Sequence, residues 1–385
     1  MKSEEFATAM LFFLNLFLPL QSKCRIMAKK SRINGFAQTL LEWFGTYGRE
    51  LPWRETHDPY AIWLSEIILQ QTQVKQGWDY WQRFMRRWPT VEDLAAASED
   101  EVLREWQGLG YYSRARNLHF AARQIVALGH FPDTLEEIKQ LKGVGDYTAA
   151  AIGSIAFGLP AAVVDGNVYR VLARYYGIET PINSTEGKKL FGALAKEVMA
   201  DAPAGLYNQA IMDFGAIQCT PQSPRCIVCP LQESCDALRT GKVSLLPIKE
   251  KKLKIKERHL IYIYIRCQGE TAIHRRGEGD IWQGLWEPFL MEDGRWMMED
   301  GRWMMEDGKA TGRRVSGNGW MMEDGLHCVA KGVKHVLTHQ VLTADFYLWE
   351  TETKPELPED YIWIKEEDID NYGIPRLVDK LLRLL

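Results

Sequence analysis

The spacing of apolar residues predicts helices through the first two thirds of the chain. From about residue 30 to 240, apolar positions recur every three or four residues, and the breaks between such segments fall at Gly or Pro. Segments 36–44, 62–69 and 94–106 show the pattern, and in the last of them Ser98 and Glu101 mark a helix start. Strand alternation is absent from this part of the sequence. An all-α lobe is therefore predicted.

From residue 260 the apolar period changes to two. The segments LIYIYIRC at 260–267 and VLTADFYLWE at 341–350 alternate β-branched and aromatic residues in the manner of strands. The second lobe is therefore predicted to be α+β, and the chain to be multidomain. We expect domains over 27–240 and 259–385, joined by a linker over 241–258.

The linker and one insertion stand out by composition. Residues 241–258 hold six lysines and an arginine, which is typical of a solvated linker, although such charge also suits a DNA backbone. In the second lobe, RWMMEDG occurs at 295–301 and again at 302–308. Each copy ends in Gly, and two heptads are too few for a coiled coil, so we predict a low-complexity surface loop over 291–325.

The N-terminus admits two interpretations. Residues 9–20 are apolar enough to resemble the core of an export signal, but they are too short to span a bilayer, and Glu4 and Glu5 precede them. The preferred interpretation is that the protein starts at Met27 and that 1–26 is a translated leader. No membrane association is expected.

Composition and charge limit the possible functions. The chain has 385 residues, of which 46% are apolar and 25% charged, as in ordinary soluble proteins of two or three domains. Its net charge of −4 argues against a wholly basic nucleic-acid-binding protein, so any DNA contact should come from local patches. Cys24, Cys267 and Cys328 are scattered, which suits free thiols in a reducing cytoplasm.

Four further cysteines have the spacing C-x6-C-x2-C-x5-C, namely Cys219, Cys226, Cys229 and Cys235. Thiolates grouped so closely can surround one metal centre. Zinc ribbons usually pair C-x2-C with a distant second C-x2-C, so this spacing fits a four-iron cluster better. A zinc site and unliganded buried cysteines are the alternatives. We expect one [4Fe-4S] cluster and no nucleotide cofactor.

The segment LKGVGDYTA at 141–149 predicts a helix-hairpin-helix. Its glycines allow a tight turn with outward backbone N–H groups, and the helix N-terminus that follows favours an anion. Gly143, Val144, Gly145 and Thr148 are therefore predicted to hold a DNA phosphate without reading sequence. An ordinary turn between two helices is the alternative.

Two carboxyl groups are candidates for chemistry. Glu66 has apolar neighbours on its predicted helix, and an apolar surrounding raises the pKa of a carboxyl group, as a general acid requires. Asp165 follows a short apolar run and precedes another helix. Taken singly, Glu66 suits a solvated helix face equally well, and Asp165 suits a helix N-cap.

Together these motifs resemble the helix-hairpin-helix DNA glycosylases of the endonuclease III superfamily, which carry an iron–sulfur cluster, and among them the MutY family of adenine DNA glycosylases. The resemblance covers roughly residues 30–385. The motifs occur in the family's order: ELPWR (50–54), PYAIWLSEIILQQT (59–72), GLGYYSRARN (108–117), LKGVGDYTA, VDGNV, the four cysteines, WQGLWE and HVLTHQ.

The resemblance implies a domain plan. An all-α helix-hairpin-helix glycosylase lobe would contain a six-helix barrel at about 52–160 and a cluster subdomain at about 27–51 and 161–240, with the cluster loop at 219–235. A Nudix-like α+β domain over 259–385 would recognise 8-oxoguanine. The metal-binding run of Nudix hydrolases is missing from the sequence, so hydrolysis of nucleotides is not expected.

The resemblance also implies an activity. Relatives that cut the DNA backbone carry a lysine where this chain has Tyr147, and a phenol cannot form the imine, so base removal alone is expected. Glu66 would protonate the adenine, at N7, and Asp165 would stabilise the cationic sugar. Tyr147 and Asn167 would support these groups.

Further roles are implied for residues that meet DNA. Gln71, Leu109 and Tyr111 would fill the gap left by the everted base, although core packing is the alternative for Tyr111. Other contacts would be an adenine pocket formed by Trp53 and Arg54, and an 8-oxoguanine loop formed by Leu337, Thr338 and His339. The family commonly has Phe-Ser-His in that loop, so here an aromatic contact is lost.

The expected partner is double-stranded DNA with an A:8-oxoguanine or A:G mispair, bound by a monomer. A thymine glycosylase for G:T mismatches also has tyrosine in the hairpin and is one alternative. A DNA-binding protein that keeps the cluster but has lost the chemistry is the other.

Overall fold

The computed structural model describes residues 35–250, 255–292, 296–299, 302–305 and 326–385. The predicted leader at 1–26 and much of the predicted insertion lie outside the described residues. Within the described parts, no helix combines the length and apolar character needed to cross a bilayer.

The predicted all-α lobe is confirmed. Predicted helix starts are also confirmed, because Ser98 accepts the backbone N–H of Glu101 in a reciprocal capping box. The helices are α1 (35–47), α2 (Pro59–Leu69), α3 (Val74–Arg87), α4 (Val91–Ala96), α5 (Glu99–Glu105), α6 (Ser113–Leu128), α7 (Leu135–Ile138), α8 (Asp146–Phe157), α9 (Gly166–Tyr176), α10 (Thr185–Met199), α11 (Ala204–Asp213) and α12 (Asp236–Arg239).

Shorter helical turns of other types connect these elements. Three are 3-10 turns, at Pro52–Arg54, Cys226–Val228 and Gln232–Ser234. The segment Phe214–Gln218, directly after α11, is a π-helix. Turns of π-helix are rare in proteins, and those that occur are often found at functional sites. The end of α11 is therefore a candidate functional position.

Contacts within the chain divide it into two compact units. One contains the described residues as far as Glu66 and those from Phe131 to the linker, and the other contains Ile67–His130 and the described residues after the linker. The divisions between the units fall inside α2, after His130 and within the predicted linker 241–258, whereas the sequence predicts only the last of these. The predicted domain boundaries therefore stay predictions.

The core of the first unit is built from α1 and α8 to α11. Each helix contributes fully buried apolar side chains at three- and four-residue spacing, among them Leu40, Ala151, Leu172, Phe191 and Ile211. This packing fixes the N-terminus of α9 and the C-terminus of α11, which carry the candidate site described below.

The second lobe is α+β, as predicted. A seven-stranded sheet has the main order β3-β2-β1-β8-β7, with β4 beside β1 and β9 beside β2; β1 and β8 are parallel, and the other pairs are antiparallel. The strands are β1 (Lys256–Cys267), β2 (Glu270–Arg275), β3 (Trp286–Glu287), β4 (Phe289–Glu292), β7 (Leu326–Val336), β8 (Gln340–Glu350) and β9 (Tyr361–Lys365).

Both faces of β1 are buried, which explains its continuous apolar sequence. Leu260 and Tyr262 face the helix α13 (Arg376–Leu382) with the even positions of β8, whereas Ile261 and Ile263 pack with β4 on the other face. The two predicted strands in this lobe are confirmed as β1 and β8.

Part of the RWMMEDG repeat forms a hairpin. Strands β5 (Trp296–Glu299) and β6 (Arg302–Met305) pair antiparallel, so the prediction of a surface loop is wrong for these residues. The two residues between the strands are Asp-Gly, the sequence that favours a two-residue hairpin turn. The hairpin signal is therefore part of the repeated sequence.

Candidate active site and iron–sulfur centre

Glu66 lies near the centre of α2 among buried apolar neighbours and is itself only 8% exposed. The Tyr147 hydroxyl, in the first turn of α8, donates to Glu66 Oε2 at 3.0 Å. Burial raises the pKa of Glu66 to about 7, although the Tyr147 hydrogen bond and the Arg54 charge oppose the shift. Glu66 is therefore a buried acid, and the solvated-face alternative is wrong.

Asp165 is the N-cap of α9. Its Oδ1 accepts the backbone N–H of Val168 at 2.8 Å, and its Oδ2 accepts Asn167 Nδ2 at 2.8 Å. Burial raises the pKa of Asp165, and the negative charge of Asp165 in turn helps to raise the pKa of Glu66. Asp165 thus caps a helix, as one sequence interpretation expects, and it also lies close enough to Glu66 to affect its pKa, while the catalytic role of Asp165 stays a prediction.

Arg170 connects this region to the cysteine loop. Arg170 Nη2 donates to Asn167 Oδ1 at 2.8 Å and to the Gly215 carbonyl at 2.7 Å, while Nε donates to the Cys219 carbonyl at 2.7 Å. Four residues further along α9, Arg174 Nη1 lies 3.4 Å from Cys219 Sγ. One helix therefore holds Asp165 at its start and the first cysteine along its side.

The cysteine loop offers a donor set for a cluster. Burial raises the pKa of the Cys229 thiol to about 11, and the neighbouring charges of Cys219, Cys226 and Cys235 add to the shift. Four mutually close thiols are disfavoured as thiolates unless a cation neutralises them. Among the described residues, no group of His, Cys, Asp and Glu has the spacing that holds a single metal ion. Four cysteine thiolates are the donor set that iron–sulfur clusters use, so the residues fit a cluster.

Gly215 packs directly against the candidate site. A Cβ on Gly215 would lie 2.5 Å from Asn167 Cβ and 3.0 Å from its Cα. Such distances are too short for any side chain, so only glycine lets the π-helix approach the start of α9.

The predicted hairpin is present between α7 and α8. Gly143 has a φ of 80°, and Gly145 caps α8 with nothing within 4 Å of its Cβ position, whereas Leu141 and Val144 are buried. The Thr148 side chain is 3% exposed. Within the turn the Val144 N–H donates to the Leu141 carbonyl at 3.1 Å, and Thr148 packs inward.

In the second unit, Gln71 and Tyr111 have positive φ angles of 54° and 48°. Non-glycine residues rarely adopt this conformation, and where they do the strain often marks function. Tyr111 is 43% exposed, so the core-packing alternative is wrong, while Leu109 is buried. Both turns are tied to the Arg114 guanidinium, which donates to the carbonyls of Gln70 and Gly110.

The predicted recognition loop Leu337–His339 joins β7 to β8. The Leu337 N–H donates to the Gln340 carbonyl at 2.8 Å, which closes the turn. At its tip, the Thr338 hydroxyl hydrogen-bonds the Tyr111 hydroxyl. The structure thus brings together Tyr111, which the sequence analysis assigns to the gap left by the everted base, and Thr338, which it assigns to 8-oxoguanine recognition, although 227 positions separate them.

Three family profiles match the chain. "HhH-GPD superfamily base excision DNA repair protein" matches residues 64–196, "NUDIX domain" matches 261–384, and "Iron-sulfur binding domain of endonuclease III" matches 219–235. The last match shows that the loop binds an iron–sulfur cluster of the [4Fe-4S] kind, which decides against zinc and against unliganded cysteines. The class is therefore an iron–sulfur helix-hairpin-helix base excision repair protein with a Nudix domain.

Curated relatives narrow the class. Adenine DNA glycosylase of Buchnera aphidicola (subsp. Baizongia pistaciae) is 36% identical over 254 residues, covering 65% of this chain and 72% of that protein. The chain belongs to the adenine DNA glycosylase family. Adenine DNA glycosylase of Mus musculus is 45% identical over 229 residues, covering 56% of this chain, and the chain spans only 44% of the mouse protein.

One solved structure is also similar. It is described as a thermostable thymine-DNA glycosylase, and it superposes with a TM-score of 0.51 and 32% identity over 56% of this chain and 99% of that one. The helix-hairpin-helix fold expected from the sequence is thereby confirmed.

Several residues at these sites escaped the sequence analysis: Arg114, Arg170, Gly215, and Asp213, which ends α11 and binds Arg54. Asp213 stands among apolar residues in AIMDFG, which is a signal of a buried charge. Arg170 and Arg174 are four apart on an otherwise apolar helix, which places both on one face. Gly215 and Arg114 gave no comparable signal.

Proposed function

We propose that this protein is a monofunctional DNA glycosylase that hydrolyses the N-glycosidic bond of adenine mispaired with 8-oxoguanine or guanine in duplex DNA. The observation that carries the proposal is a buried acid, Glu66, with a pKa of about 7 beside a second carboxylate, Asp165. Membership of the adenine DNA glycosylase family supports adenine as the base.

On the base side, Glu66 acts as general acid. The adenine must first leave the stack, at a cost of a few kcal/mol. Since the pKa of Glu66 is about 7, much of the carboxyl is protonated at neutral pH and available to donate to N7 of the purine. Protonation makes adenine a neutral leaving group when the bond between N9 and C1′ breaks.

On the sugar side, Asp165 faces the positive charge that develops on the deoxyribose. Hydrogen bonds from Val168 N–H and Asn167 Nδ2 hold its carboxylate in place before the reaction. A water then supplies the oxygen that bonds to C1′, and its proton passes to a carboxylate. The products are free adenine and an abasic site.

Tyr147 supports base removal without strand cleavage. Its hydroxyl is engaged with Glu66 and lies 3.4 Å from Met212 Sδ. A phenol cannot form the imine through which strand-cutting relatives act. Borohydride trapping of the enzyme on DNA is therefore expected to give no covalent complex.

We assign the cluster to the thiolates of Cys219, Cys226, Cys229 and Cys235. When bound, it supplies four iron–thiolate bonds that tie the loop together. The chain's own contribution is Arg174, whose guanidinium approaches Cys219 Sγ and bonds the carbonyls of Thr220 and Pro221. These contacts hold the loop against α9.

The DNA-binding groups complete the proposal. We assign a phosphate to the N–H groups of Gly143 and Gly145, since the Val144 N–H between them bonds the Leu141 carbonyl. The gap left by the everted base is assigned to Gln71, Leu109 and Tyr111. Trp53 and Arg54 are assigned to the adenine, and the Leu337–His339 loop to 8-oxoguanine. A monomer suffices, because each of these groups comes from the same chain.

The test is a single-turnover assay with enzyme in excess on duplexes that contain A:8-oxoguanine, A:G, G:T or A:T. We expect adenine release from the first two and none from A:T. The similar thymine-DNA glycosylase structure makes thymine release from G:T the second candidate. Thymine release without adenine release would replace the proposal, and binding without any base release would point to a non-catalytic protein.

The rate of excision is expected to fall as the pH rises through about 7. Glu66 must be protonated to act as the acid, and burial raises its pKa to about 7, so ionisation removes the active form above that pH. The measurement is the single-turnover rate constant between pH 5.5 and 9. Binding to a duplex with non-cleavable 2′-fluoro-deoxyadenosine over the same range serves as the control. A rate that rises steadily to pH 9 would contradict the assignment of Glu66 as acid.

Gly215→Ala is expected to slow excision by about tenfold or more, because a Cβ there must displace Asn167, whose amide bonds Asp165. Overpacking should also lower the free energy of unfolding by roughly 1–3 kcal/mol. The matched control is Gly192→Ala in α10, where nothing lies within 4 Å of the Cβ position, and where alanine should be neutral or stabilising. Equal rates for the two variants would contradict the role of Gly215.

A further inference from the structure

Asp213, the last residue of α11, is a fully buried carboxylate that the mechanism above does not use. It binds two arginines from the segment before α2. Its Oδ2 accepts the backbone N–H of Arg49 and Nη1 of Arg54, each at 2.9 Å, and its Oδ1 accepts Arg49 Nε at 3.0 Å and Arg54 Nη2 at 2.8 Å. Arg54 Nη1 also donates to the Arg49 carbonyl at 2.9 Å.

These contacts keep Asp213 charged. Burial alone would raise its pKa, but the hydrogen bonds from Arg54 and Arg49 lower it to about 2. A buried carboxylate is tolerated only when such partners satisfy it. Asp213 is therefore an anion throughout the physiological range.

The Arg54 guanidinium forms a two-pronged contact, or fork, with Asp213. Two of its nitrogens bond the two oxygens of one carboxylate, and this bidentate arrangement restricts the plane of the guanidinium. The Arg54 guanidinium also lies over the Phe44 ring, 5.3 Å from the centroid. Lysine could keep the charge at this position but not the fork.

Arg54 in turn acts on the acid. Its positive charge lowers the pKa of Glu66 and so opposes the effect of burial. Arg54 also ends the 3-10 turn that carries Trp53, whose ring is buried. The orientation of Arg54 therefore affects both the pKa of Glu66 and the position of the turn that carries Trp53.

We propose that Asp213 is a positioning residue for base excision, which fixes the Arg54 guanidinium, and with it the Pro52–Arg54 turn, beside Glu66 on the side of the everted base. The inference rests on the proposed function and deepens it. Asp213 is separated from Arg54 by 159 positions in sequence, and the end of α11 brings them together.

The test compares Asp213→Asn with Asp280→Asn in the full-length protein. Asp280 is a matched control, because its carboxylate also binds two arginines, Arg258 and Arg276, and its pKa is also lowered to about 2, but it lies in the sheet domain. We expect Asp213→Asn to lower the single-turnover rate constant for adenine release by about tenfold or more, with little change in the dissociation constant for a non-cleavable duplex. Asp280→Asn should leave the rate constant unchanged.

A double-mutant cycle separates positioning from general loss of structure. Arg54→Lys should lower the rate constant by a similar factor, and adding Asp213→Asn to it should cause little further loss, since both changes remove one fork. If Asp213→Asn does not fold, Arg54→Lys alone decides, because it keeps the positive charge while it removes the bidentate contact with Asp213 and the bond to the Arg49 carbonyl that accompanies it.

The inference is overturned if Asp213→Asn, or Arg54→Lys where the former does not fold, releases adenine as fast as Asp280→Asn, or if the two changes are additive in the cycle. Its failure is distinct from failure of the proposed function. A wild-type protein that releases no adenine from any duplex refutes the function, whereas an active wild type with an unaffected Asp213→Asn variant refutes only the role of Asp213.

Discussion

Glu66→Gln is expected to lower the single-turnover rate of adenine release by about a thousandfold or more, while binding of the duplex is retained. Glutamine has the same shape and still accepts the Tyr147 hydroxyl, but it cannot donate a proton to the purine. The loss should therefore appear in the rate constant and not in the dissociation constant. The measurement is a single-turnover assay together with a binding titration on the non-cleavable duplex.

The same substitution is expected to stabilise the protein at pH 8. Burial raises the pKa of Glu66 from 4.5 to about 7, so the folded state holds this proton more tightly than the unfolded state does. The stability from this group is full below pH 4.5 and is lost as the pH rises through about 7. The shift corresponds to about 3 kcal/mol. Glutamine removes this penalty, so its advantage should shrink as the pH falls.

Glu287→Gln is the control for Glu66→Gln. Glu287 is also buried, but its carboxylate binds Arg276 at 2.6 Å and Tyr262 at 2.9 Å within the sheet. Its neutralisation leaves the buried Arg276 with Asp280 as a remaining charge partner, which should reduce stability and spare the rate constant. A Glu66→Gln enzyme that keeps wild-type turnover, or a Glu287→Gln enzyme that loses as much, would refute the assignment of the acid.

Asp165→Asn is expected to lower the rate constant by about a hundredfold or more, with little change in stability. The neutral amide cannot balance the positive charge of the sugar, and its NH2 group would oppose the Asn167 amide that now donates to Oδ2. Asparagine is as good an N-cap as aspartate, so α9 should keep its start. Single-turnover kinetics and thermal unfolding measure the two effects separately.

Ser184→Ala is the control for a lost cap. Ser184 caps α10 by accepting the Gly187 N–H at 2.9 Å. It has no part in the proposed chemistry of the two carboxyl groups. Alanine there should cost about 1 kcal/mol of stability and leave excision intact. If Asp165→Asn instead shows the pattern of Ser184→Ala, with reduced stability and a normal rate, Asp165 is only a cap.

Much of the fold could be predicted from local sequence signals. The spacing of apolar residues gave α1, α2 and α5, the capping box at Ser98 gave a helix start, and period-two alternation gave β1 and β8. These signals act between neighbours in sequence, where helix and strand geometry relates spacing directly to a face. The Asp-Gly turn of the repeat is a signal of the same kind that the loop prediction overlooked.

The candidate site could be predicted only in part. Glu66, Asp165 and the four cysteines stand in motifs with recognisable neighbours. Arg54 also stands in a motif, and the apolar neighbours of Asp213 signal a buried charge, but the pairing of these two residues spans most of the lobe and no sequence pattern predicts it. Likewise, the hydrogen bond between Tyr111 and Thr338 joins two loops that are distant in sequence.

The sequence by itself determined the helical and α+β parts, the family, the cysteine set, and which carboxyl groups to consider. The tertiary structure alone decided that Glu66 is a buried acid, that Asp165 lies near it, and that Asp213 binds Arg54, whose charge acts on Glu66. The physical reason is that pKa values and bidentate contacts depend on burial and on charges brought together by packing, and neither is a property of residues adjacent in the chain.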